Sequence, residues 1–174
     1  MKEMIDVMIT EAAISKRVEE LAEEISRDYS GLTLSLVCVL KGGVVFLSDL
    51  SRKITVNVEM DFLDVSSYGG NTISAGVVRI EKDLTRPITG KHVLLIEDIL
   101  DTGQTLSRLI RHLGAQNPAS LKVCTLLDKP ERRLLNNVIP KYIGFTIPDR
   151  FVVGYGLDFN QKYRQLPYIG LVRV

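Results

Sequence analysis

The stretch VLLIEDILDTGQTL, residues 93–106, decides the fold prediction for this chain. Residues 92–96 form a run of His92 and four apolar residues, typical of a strand covered on both faces of a sheet. Glu97 and Asp98 stand side by side at the end of this run, and Asp101 follows in a turn. Apolar residues then recur at helical spacing: Leu106, Leu109, Ile110 and Leu113, before a stop near Gly114. The order of strand, turn and helix predicts a parallel α/β unit, whose ligands bind beyond the carboxyl ends of the strands.

The turn in this stretch has the chemistry of a phosphate site. A helix N-terminus offers unpaired N–H groups and a positive partial charge. Gly103 lets the backbone approach a ligand closely, and the hydroxyls of Thr102 and Thr105 add donors. A plain alternative is an aspartate N-cap in a Thr-Gly turn, which would explain Asp101. That alternative does not explain two further acids beside an apolar strand, where unpaired charge is costly.

Working outward, strands alternate with helices along the whole chain. The first helix shows an apolar stripe at Ile14, Val18, Leu21, Ala22 and Ile25. Further strands are predicted over residues 32–40, 56–65, 76–81, 120–127, 142–147, 151–155 and 168–174, with a helix over 44–54 and a polar loop over 66–75. This alternation predicts one α/β domain, residues 1–174, with a mainly parallel twisted sheet flanked by helices.

Composition excludes several classes of function. The 174 residues carry a formal net charge of +1, which argues against nucleic acid as a partner. No apolar run approaches the roughly 20 residues that span a bilayer, so we expect no membrane partner. Residues 1–10 mix charged and apolar side chains and do not resemble a signal peptide. Cys38 and Cys124 lie in apolar runs and are expected to be buried free thiols in a cytoplasmic protein.

Residues 93–106 resemble the phosphoribosyl-pyrophosphate motif of the type I phosphoribosyltransferases: an apolar strand, two acids, two apolar residues and Asp-Thr-Gly-x-Thr. The resemblance implies the fold of that family, with a small hood formed by the terminal segments. It also implies that Glu97 and Asp98 bind the ribose hydroxyls, directly or through Mg²⁺. The stretch from Asp101 to Thr105 would hold the 5-phosphate, with Gln104 at a position that is Lys in some members.

Two further segments resemble this family. Leu40-Lys41-Gly42-Gly43 is similar to the pyrophosphate loop of its hypoxanthine branch, in which the Lys-Gly peptide is often cis. Ser67-Tyr68 is similar to the Ser-Tyr of the mobile loop that closes over the pyrophosphate. Taken alone, Lys-Gly-Gly is more simply a turn, and Ser-Tyr is a weak indication.

The segment IPDRFVVGYGLDF, residues 147–159, with Tyr163-Arg164, resembles the purine-binding end of the hypoxanthine-guanine branch. The resemblance implies that Lys129 donates to the purine 6-oxo group, that Phe151 stacks on the base, and that Val152 and Asp158 meet its pyrimidine edge. Asp158 would also serve a second magnesium ion, and Arg164 would reach pyrophosphate. Asp101 would be the catalytic acid/base at purine N7.

The resemblance therefore implies a Mg²⁺-dependent enzyme of purine salvage that converts phosphoribosyl pyrophosphate and hypoxanthine or guanine to IMP or GMP and pyrophosphate. The metal ligands would be Glu97, Asp98 and Asp158. The substrate-binding residues would be Lys41, Gly42, Ser67, Tyr68, Glu97, Asp98, Asp101, Thr102, Gly103, Gln104, Thr105, Lys129, Phe151, Val152, Asp158 and Arg164. A related enzyme preferring xanthine or another purine, and a regulatory module that senses phosphoribosyl pyrophosphate, remain alternatives. The family suggests a homodimer or homotetramer.

Overall fold

The computed structural model describes residues 4–68, 77–135 and 137–173. Its elements are β1 Met4–Ile9, α1 Glu11–Asp28, β2 Thr33–Leu40, α2 Val44–Ser51, β3 Asn57–Tyr68, β4 Val77–Lys82, β5 His92–Leu100, α3 Gln104–Gly114, β6 Ser120–Asp128, β7 Tyr142–Thr146, β8 Val152–Val153 and β9 Ile169–Arg173. A short 3-10 turn, Pro130–Arg132, lies between β6 and β7.

The central sheet has six strands in the order β4-β3-β2-β5-β6-β7. All neighbours pair in parallel except β3 and β4, which pair antiparallel. The predicted mainly parallel α/β sheet is therefore confirmed. Chain order runs outward from β2 to β3 and then returns to β5 on the other side of β2. This reversal places a crevice at the carboxyl ends of β2 and β5, where ligands of such sheets bind.

Each buried strand supplies side chains to both faces of the sheet. Leu34, Leu36 and Cys38 of β2 join a core with α1 and α2, whereas Val37 and Val39 join a second core with α3. This division follows from the two-residue period of a strand, and it explains why the buried strands are apolar throughout. The apolar stripe of α1 is buried as predicted. Both cysteines are buried and free, as expected.

Three strands from the two ends of the chain form a separate antiparallel sheet in the order β1-β9-β8. The predicted hood of terminal segments is thus confirmed, although β1 itself was not predicted. Asp6 pairs with Leu171, and Val152 pairs with the same residue from the other side. The hood therefore connects the chain termini to the segment that precedes Gly154.

Several predicted boundaries were wrong in ways that bear on the site. β5 continues to Leu100, so Glu97 and Asp98 lie inside the strand rather than at its end. The predicted strand over 151–155 shrinks to β8, because positive φ angles of 97°, 50° and 101° at Gly154, Tyr155 and Gly156 turn the chain. The helix predicted over 44–54 ends at Ser51, and β3 extends to Tyr68 into the predicted loop. The rest of that loop, residues 69–75, lies outside the described residues, as do Gly76 and Val174.

Candidate active site

A cleft of about 400 Å³ opens at the carboxyl ends of β2 and β5. Its lining includes the acid pair, the turn after β5 and the loop after β2: Val39, Leu40, Gly42, Val65, Glu97, Asp98, Ile99, Leu100, Asp101, Thr102, Gly103, Gln104, Thr105 and Leu106. Most of the residues that the sequence assigned to the phosphoribosyl group thus meet in one cleft.

The turn over residues 101–103 leads directly into α3. Gly103 is the N-cap of the helix, has φ +84°, and provides no side-chain cap. A Cβ atom at this position would lie 3.2 Å from the Cδ atom of Arg133, and the left-handed φ would strain any L side chain. Asp101 is therefore not the helix cap that the plain alternative required. Its carboxylate instead lies 3.1 Å from Arg132 Nε.

Residues 133–135 form hydrogen bonds to the backbone of the turn. The backbone N–H groups of Leu134 and Leu135 donate to Thr102 O at 3.0 and 3.4 Å. Arg133 donates through Nε to Asp101 O at 3.2 Å and pairs with the Asp128 carboxylate. The segment after β6 thus fixes the backbone of the candidate phosphate loop. Sequence reasoning missed this role of Arg133, and the only indication was the Arg-Arg pair shortly after Lys129.

Glu97 and Asp98 are buried carboxylates, with exposed fractions of 8% and 9%. Asp98 Oδ1 accepts a hydrogen bond from the Ile99 N–H at 2.7 Å, whereas Glu97 Oε2 has no hydrogen-bond partner among the described residues. Burial, reinforced by the neighbouring Asp98 carboxylate, raises the pKa of Glu97 well above its usual range. Burial also raises the pKa of Asp98. These carboxylates carry a desolvation cost that their few partners in the described chain do not offset.

The acid pair suits a magnesium ion. Mg²⁺ binds through one or two carboxylates together with substrate phosphates and water, and the orphaned Glu97 oxygen supplies such a ligand. Among the described residues, no three His, Cys, Asp or Glu side chains cluster as a complete metal site. The third predicted ligand, Asp158, pairs with Arg164 at 2.8 Å. It therefore does not join Glu97 and Asp98 in a single cluster.

The loop after β2 packs closely against this pair. A Cβ atom on Gly42 would lie 1.5 Å from Asp98 Oδ2, and one on Gly156 would lie 2.1 Å from Gly42 O. Only glycine fits at either position. The sequence left open whether the Lys41-Gly42 peptide is cis; in the structure the cis peptide of this loop joins Leu40 to Lys41.

The expected base-binding residues surround the loops after β6 and β7. Lys129 is buried, and its Nζ donates to Arg150 O at 2.5 Å and lies 3.7 Å from Asp149 Oδ1. The ring of Phe151 is 56% exposed and rests edge-on against Phe159, with 5.5 Å between the ring centroids. A large aromatic ring that is supported on one side and open on the other suits stacking on a flat ligand.

Arg164 holds the segment between β8 and β9 together. Its Nη1 donates to Gly156 O at 2.7 Å, and its Nη2 pairs with Asp158. Asp158 also accepts the Gln161 N–H at 2.8 Å. Val152 is buried in β8 of the hood. Ser67 and Tyr68 lie at the end of β3, so their backbone belongs to the sheet.

A family model described as a phosphoribosyl transferase domain matches residues 8–160. The chain belongs to this phosphoribosyltransferase family. The hypoxanthine phosphoribosyltransferase of Escherichia coli K12 is 49% identical, with 99% of this chain and 97% of the relative covered. The hypoxanthine-guanine phosphoribosyltransferase of Mycobacterium tuberculosis H37Rv is 51% identical, with 94% of this chain and 84% of the relative covered. The match to a phosphoribosyltransferase therefore extends over nearly the whole chain.

Solved structures confirm the family's fold. A crystal structure of a hypoxanthine-guanine phosphoribosyltransferase from Bacillus anthracis superposes with a TM-score of 0.92 at 47% identity, covering 97% of this chain and 98% of that one. A hypoxanthine phosphoribosyltransferase from Trypanosoma cruzi reaches 0.90 at 40% identity, covering 99% and 95%. The sheet, the hood and the cleft are therefore those of a type I phosphoribosyltransferase. Within the part of the chain that the structure describes, no helix is long and apolar enough to cross a membrane.

Proposed function

We propose that this chain is a Mg²⁺-dependent enzyme of purine salvage that transfers the 5-phosphoribosyl group from phosphoribosyl pyrophosphate to N9 of hypoxanthine or guanine. The products are IMP or GMP and pyrophosphate. The main support for the proposal is that the turn before α3, the buried acid pair and the loop after β2 line one cleft. The chain that forms this cleft is 50% identical in sequence to a hypoxanthine phosphoribosyltransferase. The roles of individual residues rest on matching positions in the family and on the geometry of this cleft.

Phosphoribosyl pyrophosphate is held at three places. The turn from Asp101 to Thr105 binds the 5-phosphate through backbone N–H groups and the hydroxyls of Thr102 and Thr105, at the positive end of α3. Glu97 and Asp98 accept hydrogen bonds from the ribose hydroxyls. The pyrophosphate is bound by Lys41, Gly42 and Arg164, together with the Ser67-Tyr68 segment. Closure of that segment excludes water, which would otherwise hydrolyse the reactive sugar.

The base lies against Phe151 on the hood side. Lys129 donates to the 6-oxo oxygen, which selects against a 6-amino purine because an amino group presents a donor to a donor. The backbone around Val152 and Asp158 meets the pyrimidine edge. Backbone carbonyls recognise the 2-amino group of guanine. The site therefore accepts both hypoxanthine and guanine.

The reaction is a substitution at the anomeric carbon. The bond from C1′ to the pyrophosphate oxygen breaks, the bond from C1′ to purine N9 forms on the opposite face, and the purine loses one proton. Asp101, which begins the phosphate turn on the side of the base, takes that proton from N7 as the catalytic acid/base. Lys41, Arg164 and the loop amides stabilise the charge on the departing pyrophosphate.

Glu97 and Asp98 would hold magnesium in this site, and Asp158 would serve a second ion. When bound, magnesium supplies positive charge that neutralises the phosphates and the developing charge on the leaving group. It would also offset the buried charge of the acid pair. The protein's part is to keep two carboxylates dry and correctly spaced.

Steady-state rates with phosphoribosyl pyrophosphate, Mg²⁺ and each of hypoxanthine, guanine, xanthine and adenine test the proposal. We expect nucleotide and pyrophosphate to form in equal amounts with hypoxanthine and guanine, and hardly at all with adenine. Preference for xanthine would move the chain to a different base specificity on the same fold. Binding of phosphoribosyl pyrophosphate without turnover of any base would favour a regulatory module.

We further propose that the chain forms a homodimer or homotetramer, as the family resemblance implies, and that it is cytoplasmic. The buried free thiols Cys38 and Cys124 fit a reducing compartment. Sedimentation equilibrium with and without phosphoribosyl pyrophosphate measures the assembly, and a monomer at micromolar concentration would contradict it.

A further inference from the structure

Four charged side chains form a continuous series of alternating sign along the base end of the cleft. Asp101 Oδ1 lies 3.1 Å from Arg132 Nε, and Arg132 Nη1 lies 3.7 Å from Asp149 Oδ2. The other oxygen of Asp149, Oδ1, lies 3.7 Å from Lys129 Nζ. The two ends of this series are Asp101, which the proposed function places at purine N7, and Lys129, which it places at the 6-oxo oxygen.

The series connects the loops that follow three neighbouring strands of the central sheet. Asp101 follows β5, Lys129 follows β6, and Asp149 follows β7. Backbone hydrogen bonds fix the spacing of these loops: Lys129 N donates to Leu100 O at 2.9 Å, and Ile147 N donates to Asp128 O at 2.9 Å. Backbone hydrogen bonds therefore fix the positions of the loops, and the four charged side chains connect them.

Arg132 is held in a position from which it can reach both acids. It ends the 3-10 turn Pro130–Arg132, and the next residue, Arg133, is anchored to Asp101 O and to Val138 O. The guanidinium group is planar and presents several donors in a fixed fork, which suits bridging two carboxylates. The side chains of Asp101 and Asp149 are 38% and 45% exposed, so packing alone does not fix their orientation.

We propose that Arg132 is a positioning residue, which together with Asp149 sets the orientation of Asp101 relative to Lys129. The inference rests on the proposed function, because it concerns two groups that must meet the same edge of a purine at once. N7 and the 6-oxo oxygen are neighbours on one rigid ring system. An error in the angle of either protein group therefore weakens the contact of the other.

This role differs from that of an ordinary surface ion pair. Exposed pairs contribute about 0–1 kcal/mol to folding, so stability is a poor measure of what Arg132 does. A catalytic group that is displaced by about 1 Å can lose up to roughly a hundredfold in rate. The effect of Arg132 is therefore expected in turnover, at constant stability and constant affinity for phosphoribosyl pyrophosphate.

The test compares Arg132→Gln with Arg132→Lys and with the control Arg108→Gln. Arg108 is exposed on α3, and the described residues give it no ion-pair partner. We expect Arg132→Gln to lower kcat with hypoxanthine about tenfold, with KM for phosphoribosyl pyrophosphate within about twofold of wild type. Arg132→Lys restores part of the loss, and Arg108→Gln keeps wild-type rates.

If the wild type is active and Arg132→Gln has the same kcat, the inference is overturned while the proposed function stands. A loss that falls on KM for phosphoribosyl pyrophosphate would overturn it as well, since Arg132 would then support the phosphate turn. A wild type inactive with every 6-oxopurine would overturn the proposed function itself.

A double-mutant cycle with Asp149→Asn gives an independent check. If Arg132 and Asp149 act as one series, the double variant loses less than the product of the two single losses in kcat. Losses that multiply would show that the two residues act separately and would overturn the inference.

Discussion

Carboxylates stand toward both ends of the central sheet, and their surroundings differ. Near the amino ends of the strands, Glu59 pairs with Lys91 at 2.6 Å, and Lys91 lowers the pKa of Glu59. Asp61 accepts hydrogen bonds from the N–H groups of Phe62 and Thr85 at 2.8 and 2.7 Å. Although burial acts in the opposite direction, these hydrogen bonds lower the pKa of Asp61.

At the carboxyl ends, Glu97 and Asp98 are buried with few partners, and burial raises the pKa of both. The same side-chain chemistry thus stabilises one end of the sheet and destabilises the other. The carboxylates at the amino ends thus contribute to the stability of the fold, whereas the acid pair at the carboxyl ends suits the binding of a ligand. Sites that bind charged substrates commonly retain groups that cost stability in the empty protein.

The largest effect that would sharpen this contrast is expected at Asp101. Asp101→Asn keeps the size of the side chain but cannot exchange a proton with purine N7, so kcat should fall about 10²- to 10⁴-fold. Binding of phosphoribosyl pyrophosphate and the free energy of unfolding should hardly change, because the helix cap is Gly103. Pre-steady-state kinetics locates the defect in nucleotide formation. If the variant instead loses phosphoribosyl-pyrophosphate binding and keeps the chemical rate, Asp101 is a structural residue.

A smaller effect, on selectivity, is expected at Lys129. Lys129→Ala removes the donor that the proposed function assigns to the 6-oxo group, and unpaired buried polar groups cost about 1–3 kcal/mol, roughly 5- to 150-fold in kcat/KM. We expect hypoxanthine and guanine to lose this much while discrimination against adenine relaxes. Competition assays with mixed bases measure the ratio directly. An unchanged ratio would remove Lys129 from base recognition, whatever happens to the absolute rate.

At the amino end, Asp61→Asn should cost stability and not activity. Loss of a charged acceptor of several hydrogen bonds lowers the free energy of unfolding by about 1–3 kcal/mol at pH 7. Since the folded pKa of Asp61 is depressed, its contribution is present above the unfolded pKa of about 3.9 and is lost as pH falls through the folded pKa. Urea denaturation at pH 7, 5 and 3 should therefore show the gap between wild type and variant closing below about pH 4.

Asp64→Asn is the control for this measurement. It removes a carboxylate from the same strand, for which the described residues supply no side-chain hydrogen bond. Its effect should stay within about 0.5 kcal/mol. A gap for Asp61→Asn that widens in acid would contradict the assigned hydrogen bonds.

The smallest expected effect has the opposite sign. Glu97→Gln removes a charge from a buried position whose Oε2 has no partner among the described residues. The free energy of unfolding of the ligand-free protein should rise by about 1 kcal/mol, because the amide carries neither the cost of burying a charge nor the cost of protonating a carboxylate. Thermal melts of Glu97→Gln and Glu59→Gln compare the two ends, and only the former should gain. The contrast between the ends would fail if Glu97→Gln lost more stability than Glu59→Gln.

The site was more predictable from sequence than its surroundings. The run from Val93 to Thr105 carries its own periodicity and turn chemistry, so the strand, the phosphate turn and the helix could be located locally. The acids were placed at the end of the strand, because a buried strand is expected to end where charge begins. The strand continues through Glu97 and Asp98, and function overrides the local preference there.

Features that depend on distant pairing were not predictable. β1 is short, contains Asp6, and is stabilised as a strand by β9 at the other end of the chain. The series from Asp101 through Arg132 and Asp149 to Lys129 joins loops after three strands. No spacing in the sequence indicates that these loops meet, since the order of strands in a sheet is set by tertiary packing.

The pairing of β1 with β9 also has a consequence for how the protein is made. Leu171, the partner of Asp6, is synthesised more than 160 residues after it. Domains begin to fold during synthesis from their N-terminal part, and contacts of long sequence separation form late. The central sheet, complete at Thr146, can assemble on the nascent chain, whereas the hood cannot. Synthesis of β9 therefore precedes completion of the hood, and a chain stalled before β9 would have the central sheet but no strand to join β1 to β8.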